Sequence, residues 1–243
     1  MMRRAATALL ALPALCLTAA ADTVFFAQGT DSKVIAEQLA PYRSAYPDRK
    51  ADYVPLASKP TNLPAARQTA QAIRAGVTAL PCLVLADAQG DYAALPLATL
   101  TEETLRAAEE RAKAPDRKQQ FEQRRYQANQ YYLFARIGLG AQKATDRELA
   151  QDIATCRSLM TAPQATQEDT QLLGLRCLYP LLMLQYTRGY KGAHTPATEA
   201  KLLEAIAALE AARDLNPDSP LGKAAHQERE RLRMARRQAR QAE

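Results

Sequence analysis

Thiols and imidazoles are the side chains best suited to nucleophilic or acid–base chemistry, and this chain has few of them. Beyond the first twenty residues the cysteines are Cys82, Cys156 and Cys177, and the only histidines are His194 and His226. None of them forms a Cys-x-x-Cys pair or a His/Cys cluster with metal-ligand spacing, and no glycine-rich phosphate loop is present. The sequence therefore predicts no catalytic residue, no metal site and no cofactor.

Cys82 follows a proline in AGVTALPCLVLADAQG, residues 75–90. The apolar run after Pro81 predicts a buried strand, and proline is tolerated at the first residue of a strand. A free cysteine in such a place is usually a small buried residue. The alternative is a lone reactive thiol that forms a mixed disulfide with a partner.

The elements around this stretch alternate between strand and helix. Apolar and β-rich runs predict strands over TVFFA, ADYVPLA, CLVLAD and YAALPL. Helical spacing and capping residues predict helices over DSKVIAEQLAPYRSAY, LPAARQTAQAIRAG and TEETLRAAEERAKA. In the first of these helices the apolar positions are Val34, Ile35, Leu39 and Tyr42. The order predicts an α/β domain over residues 22–114, with a returning antiparallel strand after Gly90.

The order of elements and the run AIRAGVTALPCLVLADAQGDY together resemble a thioredoxin-fold domain. The positions that carry the resemblance are Gly76, Val77, Pro81, the strand residues 83–86, Asp87 and Gly90. The resemblance implies that the Leu80-Pro81 bond is cis and lies beside the start of the first helix.

The resemblance fails at the positions that carry redox chemistry. Thiol-active members have Cys-x-x-Cys where the first strand meets the first helix, because the reaction needs an activated thiolate and a resolving thiol. The matching positions here fall near Thr30 and Lys33 in FFAQGTDSKV, and neither residue can form a disulfide. We therefore expect a redox-inactive thioredoxin fold.

A peptide-binding groove is also implied by the resemblance. In such folds the backbone before the proline pairs with an extended peptide, which requires only unpaired N–H and C=O groups. The residues of this expected groove are Thr30, Lys33, Leu80, Pro81 and Cys82, with Lys33 attracting an acidic side chain. The alternative is that the cis turn serves only to start the strand.

Residues 115–243 show helical patterns alone. Apolar spacing and capping residues predict five helices, and Pro180 should kink the central, mostly apolar one. The run AIAALEAARDLNPDSP resembles the second helix and closing turn of a tetratricopeptide repeat, through Ala205, Leu209, Ala212 and Pro217. This predicts an all-α domain of TPR-like helical hairpins, an architecture that usually binds other proteins.

Cys156 and Cys177 fall on two of these helices, which neighbour each other along the chain. They form either a disulfide or two buried free thiols, because helix register cannot be read from sequence to one residue.

Both ends of the chain carry signals of location. The start, MMRRAATALLALPALCLTAAADT, has the pattern of a secretory signal peptide over residues 1–21, which predicts an exported, periplasmic or extracellular protein. The formal net charge is +6, and residues 222–243 hold seven Lys/Arg against three Asp/Glu. In an exported protein this basic end favours an anionic membrane surface or an acidic partner over nucleic acid, or it is simply a solvated helix.

Three functions are compatible with these observations. The first is a non-catalytic adaptor that binds another envelope or secreted protein. The second is a thiol-dependent oxidoreductase or isomerase that uses Cys82. The third is a membrane-surface scaffold held by the basic C-terminal helix. The missing Cys-x-x-Cys favours the adaptor over the enzyme.

Overall fold

The computed structural model describes residues 21–190 and 195–242, with side chains as far as residue 238. The predicted signal peptide, except for Ala21, and His194 lie outside the described residues. The described chain consists of an α/β N-terminal part and a helical C-terminal part, as the sequence predicts.

The N-terminal part is built on one four-stranded mixed sheet. Its strands are β1 (Asp22–Ala27), β2 (Ala51–Leu56), β3 (Cys82–Asp87) and β4 (Gly90–Pro96). Their order across the sheet is β2-β1-β3-β4. β1 runs parallel to β2 and antiparallel to β3, and β3 and β4 form the predicted antiparallel hairpin.

Helices cover both faces of this sheet. They are α1 (Ser32–Gln38), α2 (Ala40–Ala45), α3 (Leu63–Ala75) and α4 (Glu102–Ala112). One face, which includes Val24, Leu83 and Leu85, packs in a core with residues of α1, α2 and α4. The opposite face, which includes Phe25 and Val84, packs against α3.

The first predicted helix is divided into α1 and α2. Pro41 lies at the start of α2 and has no backbone N–H to donate to the preceding turn. Leu39 ends α1, and its N–H bonds the carbonyls of Ile35 and Glu37. The chain therefore turns at this point while Leu39 itself remains buried.

The five helices predicted for the second half are all present. They are α5 (Arg117–Gly140), α6 (Asp146–Met160), the continuous segment α7 (Gln167–Leu173) to α8 (Tyr179–Gly189), α9 (Pro196–Leu215) and α10 (Pro220–Ala242). Between α7 and α8 the chain forms a π-helical turn, Gly174–Leu178, one residue before the pair Tyr179-Pro180. Pro180 removes one helical donor, and the preceding turn widens at the position where the sequence predicts a kink.

α5 joins the two halves through direct packing. The Arg124 side chain lies against Gly76 at the end of α3, and Phe121 lies against Gly90. Arg117 at the start of α5 forms a two-pronged ion pair with Asp87 at the end of β3. The predicted domain boundary near Pro115 is therefore followed at once by a helix that contacts the α/β part.

Candidate functional site

The first wall of the candidate site is the turn from β1 into α1. Gly29 has a φ of +92°, which a side chain would disfavour. Thr30 then anchors the turn, since its N–H and its hydroxyl both donate to the Ala27 carbonyl, at 3.0 and 2.7 Å. Asp31 caps α1 by accepting from the Lys33 N–H at 2.9 Å. This arrangement leaves the Lys33 side chain exposed at the first turn of the helix.

The second wall is the loop before β3. The Leu80-Pro81 peptide bond is cis, which confirms the prediction for this bond. The Pro81 carbonyl accepts from the Leu97 N–H at 2.9 Å, and Cys82 then begins β3. The proline is thus held by the segment that follows β4.

The strand register brings these two walls to one end of the sheet. β1 and β3 are antiparallel, and Phe25 pairs with Cys82. β1 ends at Ala27, two residues after Phe25, and β3 begins at Cys82, so the turn at Thr30 follows β1 at the same end of this strand pair at which Leu80 precedes β3. The loop before β3 and the turn into α1 therefore lie at the same end of the sheet.

The loop presents free backbone to solvent. Thr78, Ala79 and Leu80 are exposed, and 41% of Leu80 is accessible. Among the described residues, none donates to their carbonyls or accepts from their backbone N–H groups. Unpaired and accessible main-chain groups are what an added strand requires.

Val34 is an exposed apolar residue in the first turn of α1. It was predicted on the buried side of that helix, but it is 44% accessible, whereas Ile35, Leu39 and Tyr42 are buried. Those three follow helical spacing among themselves, and Val34 lies about 100° away from Ile35 around the helix. The 3.6-residue helical period through Ile35 and Leu39 therefore leaves Val34 off the buried stripe. Thr78 and Ala79 carry no comparable signal in the sequence.

The Cys82 thiol is not accessible for chemistry at this end of the sheet. The side chain is on the α3 side of the sheet, on the same face as Val84, and only 1% of the residue is accessible. Burial raises the pKa of the Cys82 thiol to about 11. Nucleophilic chemistry requires an accessible thiolate, so the geometry disfavours the thiol-dependent alternative.

The other two cysteines belong to the helical part of the protein. Cys156 and Cys177 are free thiols in the core of the helical part, and both are fully buried. Among the described residues no group of three His, Cys, Asp or Glu side chains could hold a metal ion.

Two cavities lie elsewhere. One, of about 280 Å³, is lined by Arg213, Pro217, Lys223, His226 and Gln227 at the turn between α9 and α10. The other, of about 200 Å³, lies between α3 and the sheet and includes Arg74 and Asp91. Burial raises the pKa of Asp91, and Arg74 lies 4.0 Å from it. No thiol or imidazole lines this second cavity.

Several arginines of the basic C-terminal helix form ion pairs with acidic residues of α9. Arg236 donates to Glu199 at 2.6 Å, and Arg229 and Arg233 both pair with Glu210 on α9. Within the described part of the chain, no helix is long and apolar enough to cross a membrane.

Comparison with known proteins returns no match: no protein-family model fits the chain, and no curated protein or solved structure is significantly similar to it.

Proposed function

We propose that this chain is an exported, non-catalytic adaptor that binds another envelope or secreted protein. In this proposal residues 22–114 form a redox-inactive thioredoxin-like domain and residues 115–243 a TPR-like helical domain. The strand order β2-β1-β3-β4, with one parallel and two antiparallel pairings, supports the first assignment. The antiparallel hairpin of α9 and α10 supports the second.

The observation that carries the proposal is the free backbone of Thr78–Leu80. An extended peptide can pair its own N–H and C=O groups with this segment, and that pairing needs no cysteine. The peptide strand would lie across the end of the sheet at which α1 begins. Leu80 and Val34 would contact apolar side chains of the peptide, and Lys33 would attract an acidic one.

The experiment is a selection of random peptides, displayed on phage, against the purified protein. Selected peptides should bind in an extended form and slow hydrogen exchange at the Thr78, Ala79 and Leu80 amides. Leu80→Glu should weaken binding by about tenfold or more, the effect expected for loss of an apolar anchor. A selection that yields no binding peptide contradicts the proposal.

Leu139→Glu is the matched control. Leu139 is 39% accessible, close to the 41% of Leu80, but it lies near the end of α5. The control variant should bind the selected peptides as the unmodified protein does. Equal losses in both variants would show that the peptides recognise general surface hydrophobicity and not the loop.

The two alternatives receive less support. The enzyme would need Cys82 as a thiolate, and that thiol is buried with a raised pKa. The membrane scaffold would need the arginines of α10, and three of them pair with acidic residues of the same helical part. Peptide binding at Leu80 requires neither a reactive Cys82 thiolate nor unpaired arginines on α10.

A further inference from the structure

Cys156 and Cys177 meet inside the helical part of the protein. Cys156 lies on α6, and Cys177 lies in the π-helical turn Gly174–Leu178. Both residues are 0% accessible and belong to the same core cluster. The Cys156 thiol is 3.7 Å from the carbonyl oxygen of Leu173, one turn before Cys177. The neighbouring Cys156 thiol, together with burial, raises the pKa of the Cys177 thiol.

The surrounding packing holds the two thiols in this arrangement. The Tyr179 N–H bonds the Gly174 carbonyl, which closes the wide turn that carries Cys177. The turn also packs closely on α9, because a Cβ atom at Gly174 would lie 3.1 Å from the Cβ atom of Ala212. α6 begins at a Thr145–Glu148 capping box, so the helix that presents Cys156 has a defined start.

We propose that Cys156 and Cys177 are joined by a structural disulfide when the chain folds under oxidising conditions. The two thiols lose two protons and two electrons as the S–S bond forms. An oxidant of the disulfide class, such as oxidised glutathione, accepts them as its own S–S bond breaks to give two thiols. Because the thiols are inaccessible once the core has formed, the exchange takes place during folding.

Cys82 has no part in this bond. It lies in the sheet of the α/β part, on β3, whereas the paired thiols lie among α6, α7 and α8. Cys82 therefore remains a free thiol in the oxidised protein. The disulfide does not depend on peptide binding at Thr78–Leu80, because both of its cysteines lie in the helical core.

The disulfide would link α6 to the segment that leads into α8 across the turn between α6 and α7. Cross-linking positions 156 and 177 restricts the unfolded chain, and a loop of this size lowers the unfolding equilibrium constant by roughly 200-fold in the chain-entropy model. The oxidised protein should therefore unfold at a higher denaturant concentration than the reduced one.

The test is a tryptic map of the protein after refolding with oxidised and reduced glutathione. Cleavage after Arg147, Arg157, Arg176 and Arg188 places the two cysteines on separate peptides, 148–157 and 177–188. Without reductant these peptides should appear as one linked species that separates on reduction. Recovery of both peptides with alkylated, free thiols after oxidative refolding overturns the proposal.

Variants separate this bond from other thiol reactions. Cys82→Ser should retain the linked species and the difference in denaturant midpoint between the oxidised and reduced forms. Cys156→Ser should lose both. If Cys156→Ser fails to fold, the same comparison of oxidised with reduced unmodified protein still decides the question. Linked peptides that include Cys82 would contradict the assignment.

Discussion

Asp22 and Arg49 form an ion pair at the start of the sheet, with the Arg49 Nη2 atom 2.7 Å from Asp22 Oδ1 and the Asp22 side chain wholly buried. The same carboxylate accepts from the Tyr42 hydroxyl at 2.7 Å and from the Ala86 N–H at 2.9 Å. Burial, with a smaller contribution from the bond to Asp22, raises the pKa of Tyr42. One carboxylate thus links β1, β3 and α2.

Replacing Asp22 by alanine should strongly destabilise the α/β part. The substitution leaves the Arg49 guanidinium, the Tyr42 hydroxyl and one backbone N–H without their shared acceptor. Breaking a fully buried pair by removing one partner costs about 3–5 kcal/mol, and the loss here should lie near the lower bound because a third of the Arg49 side chain is exposed. Guanidinium unfolding measures the loss. Asp48→Ala, at an exposed position of the same segment, is the control and should change the free energy of unfolding little; equal losses would contradict the role assigned to Asp22.

Gln171 should be a second sensitive position, in the helical part, with a smaller loss than Asp22. It is 2% accessible, and its amide nitrogen donates to the carbonyls of Ala212 and Asn216 at 2.8 and 3.0 Å. The Ser219 hydroxyl donates to its amide oxygen at 3.1 Å. A single buried side chain therefore caps the end of α9 and orients the turn into α10.

Gln171→Leu keeps the approximate size of the side chain but removes its polar atoms. The Ala212 carbonyl then loses the donation from Gln171, whereas the Asn216 carbonyl keeps the Ser219 hydroxyl and N–H as donors. One buried acceptor left without a donor costs about 1–3 kcal/mol. The thermal or denaturant midpoint should fall accordingly. Gln151→Leu, on the exposed side of α6, provides the control and should leave the midpoint nearly unchanged. A variant at position 171 as stable as the unmodified protein would show that these bonds do not limit stability.

The order of helices and strands was predictable because each depends on local residue patterns. Caps at Thr101, Thr145 and Thr166 and the hydrophobic spacing around them define where helices begin. The docking of α5 on α3 was not predictable, because it depends on contacts such as Arg124 against Gly76 between positions far apart in the chain.

The candidate site was predictable only in part. The run around Pro81 indicated the loop and its cis bond, but not that Thr78 and Ala79 lack hydrogen-bond partners. Whether a backbone group is paired depends on which neighbouring strand reaches it, and that is a property of the folded sheet. The pairing of Arg236 with Glu199 likewise depends on how α10 packs on α9.

The ion pair of Asp87 with Arg117 should make stability depend on pH. Hydrogen bonds from Arg117 lower the pKa of Asp87, while partial burial opposes this effect. The unfolded chain therefore takes up this proton first, near the ordinary pKa of about 3.9. The stabilisation is present above that pH and is lost as the pH falls through the lower pKa of the folded state.

Asp87→Asn is expected to be less stable than the unmodified protein at neutral pH. The difference should shrink as the pH falls below about 4, because the unmodified Asp87 then also loses its charge. Urea midpoints measured across this range give the comparison, with Asp48→Asn as the control for loss of one exposed carboxylate. A difference that stays constant with pH would show that the ionised form of Asp87 contributes nothing.

Cys82 should be unreactive in the folded protein. With a pKa of about 11 and 1% accessibility, the thiol should react with iodoacetamide only after denaturation. Intact mass before and after unfolding measures this. The protein should also not catalyse disulfide reduction of a model substrate, since Thr30 and Lys33 carry no thiol. Turnover that disappears in Cys82→Ser would reverse this conclusion and favour the enzyme.

Binding of α10 to an anionic membrane should be weak. Among the α10 residues whose side chains the structure describes, the exposed cations are Lys223, Arg231 and Arg237, and the Arg231 side chain is 79% exposed. Each cation near an anionic surface contributes about 1 kcal/mol, so the three together contribute about 3 kcal/mol. That corresponds to a dissociation constant weaker than about 1 mM. Little protein should therefore sediment with phosphatidylserine-rich vesicles at physiological salt.

Charge variants test this membrane binding better than deletion of α10. Ala225 of this helix is fully buried beside Leu209 and Leu175, so deletion would expose the core and create apolar surface of its own. The variant Lys223→Ala/Arg231→Ala/Arg237→Ala removes only exposed cations. Lys50→Ala/Lys59→Ala/Arg106→Ala removes three exposed cations of the α/β part and serves as the matched control. Strong sedimentation of the unmodified protein, lost in the first variant and retained in the second, would establish the membrane scaffold in place of the adaptor.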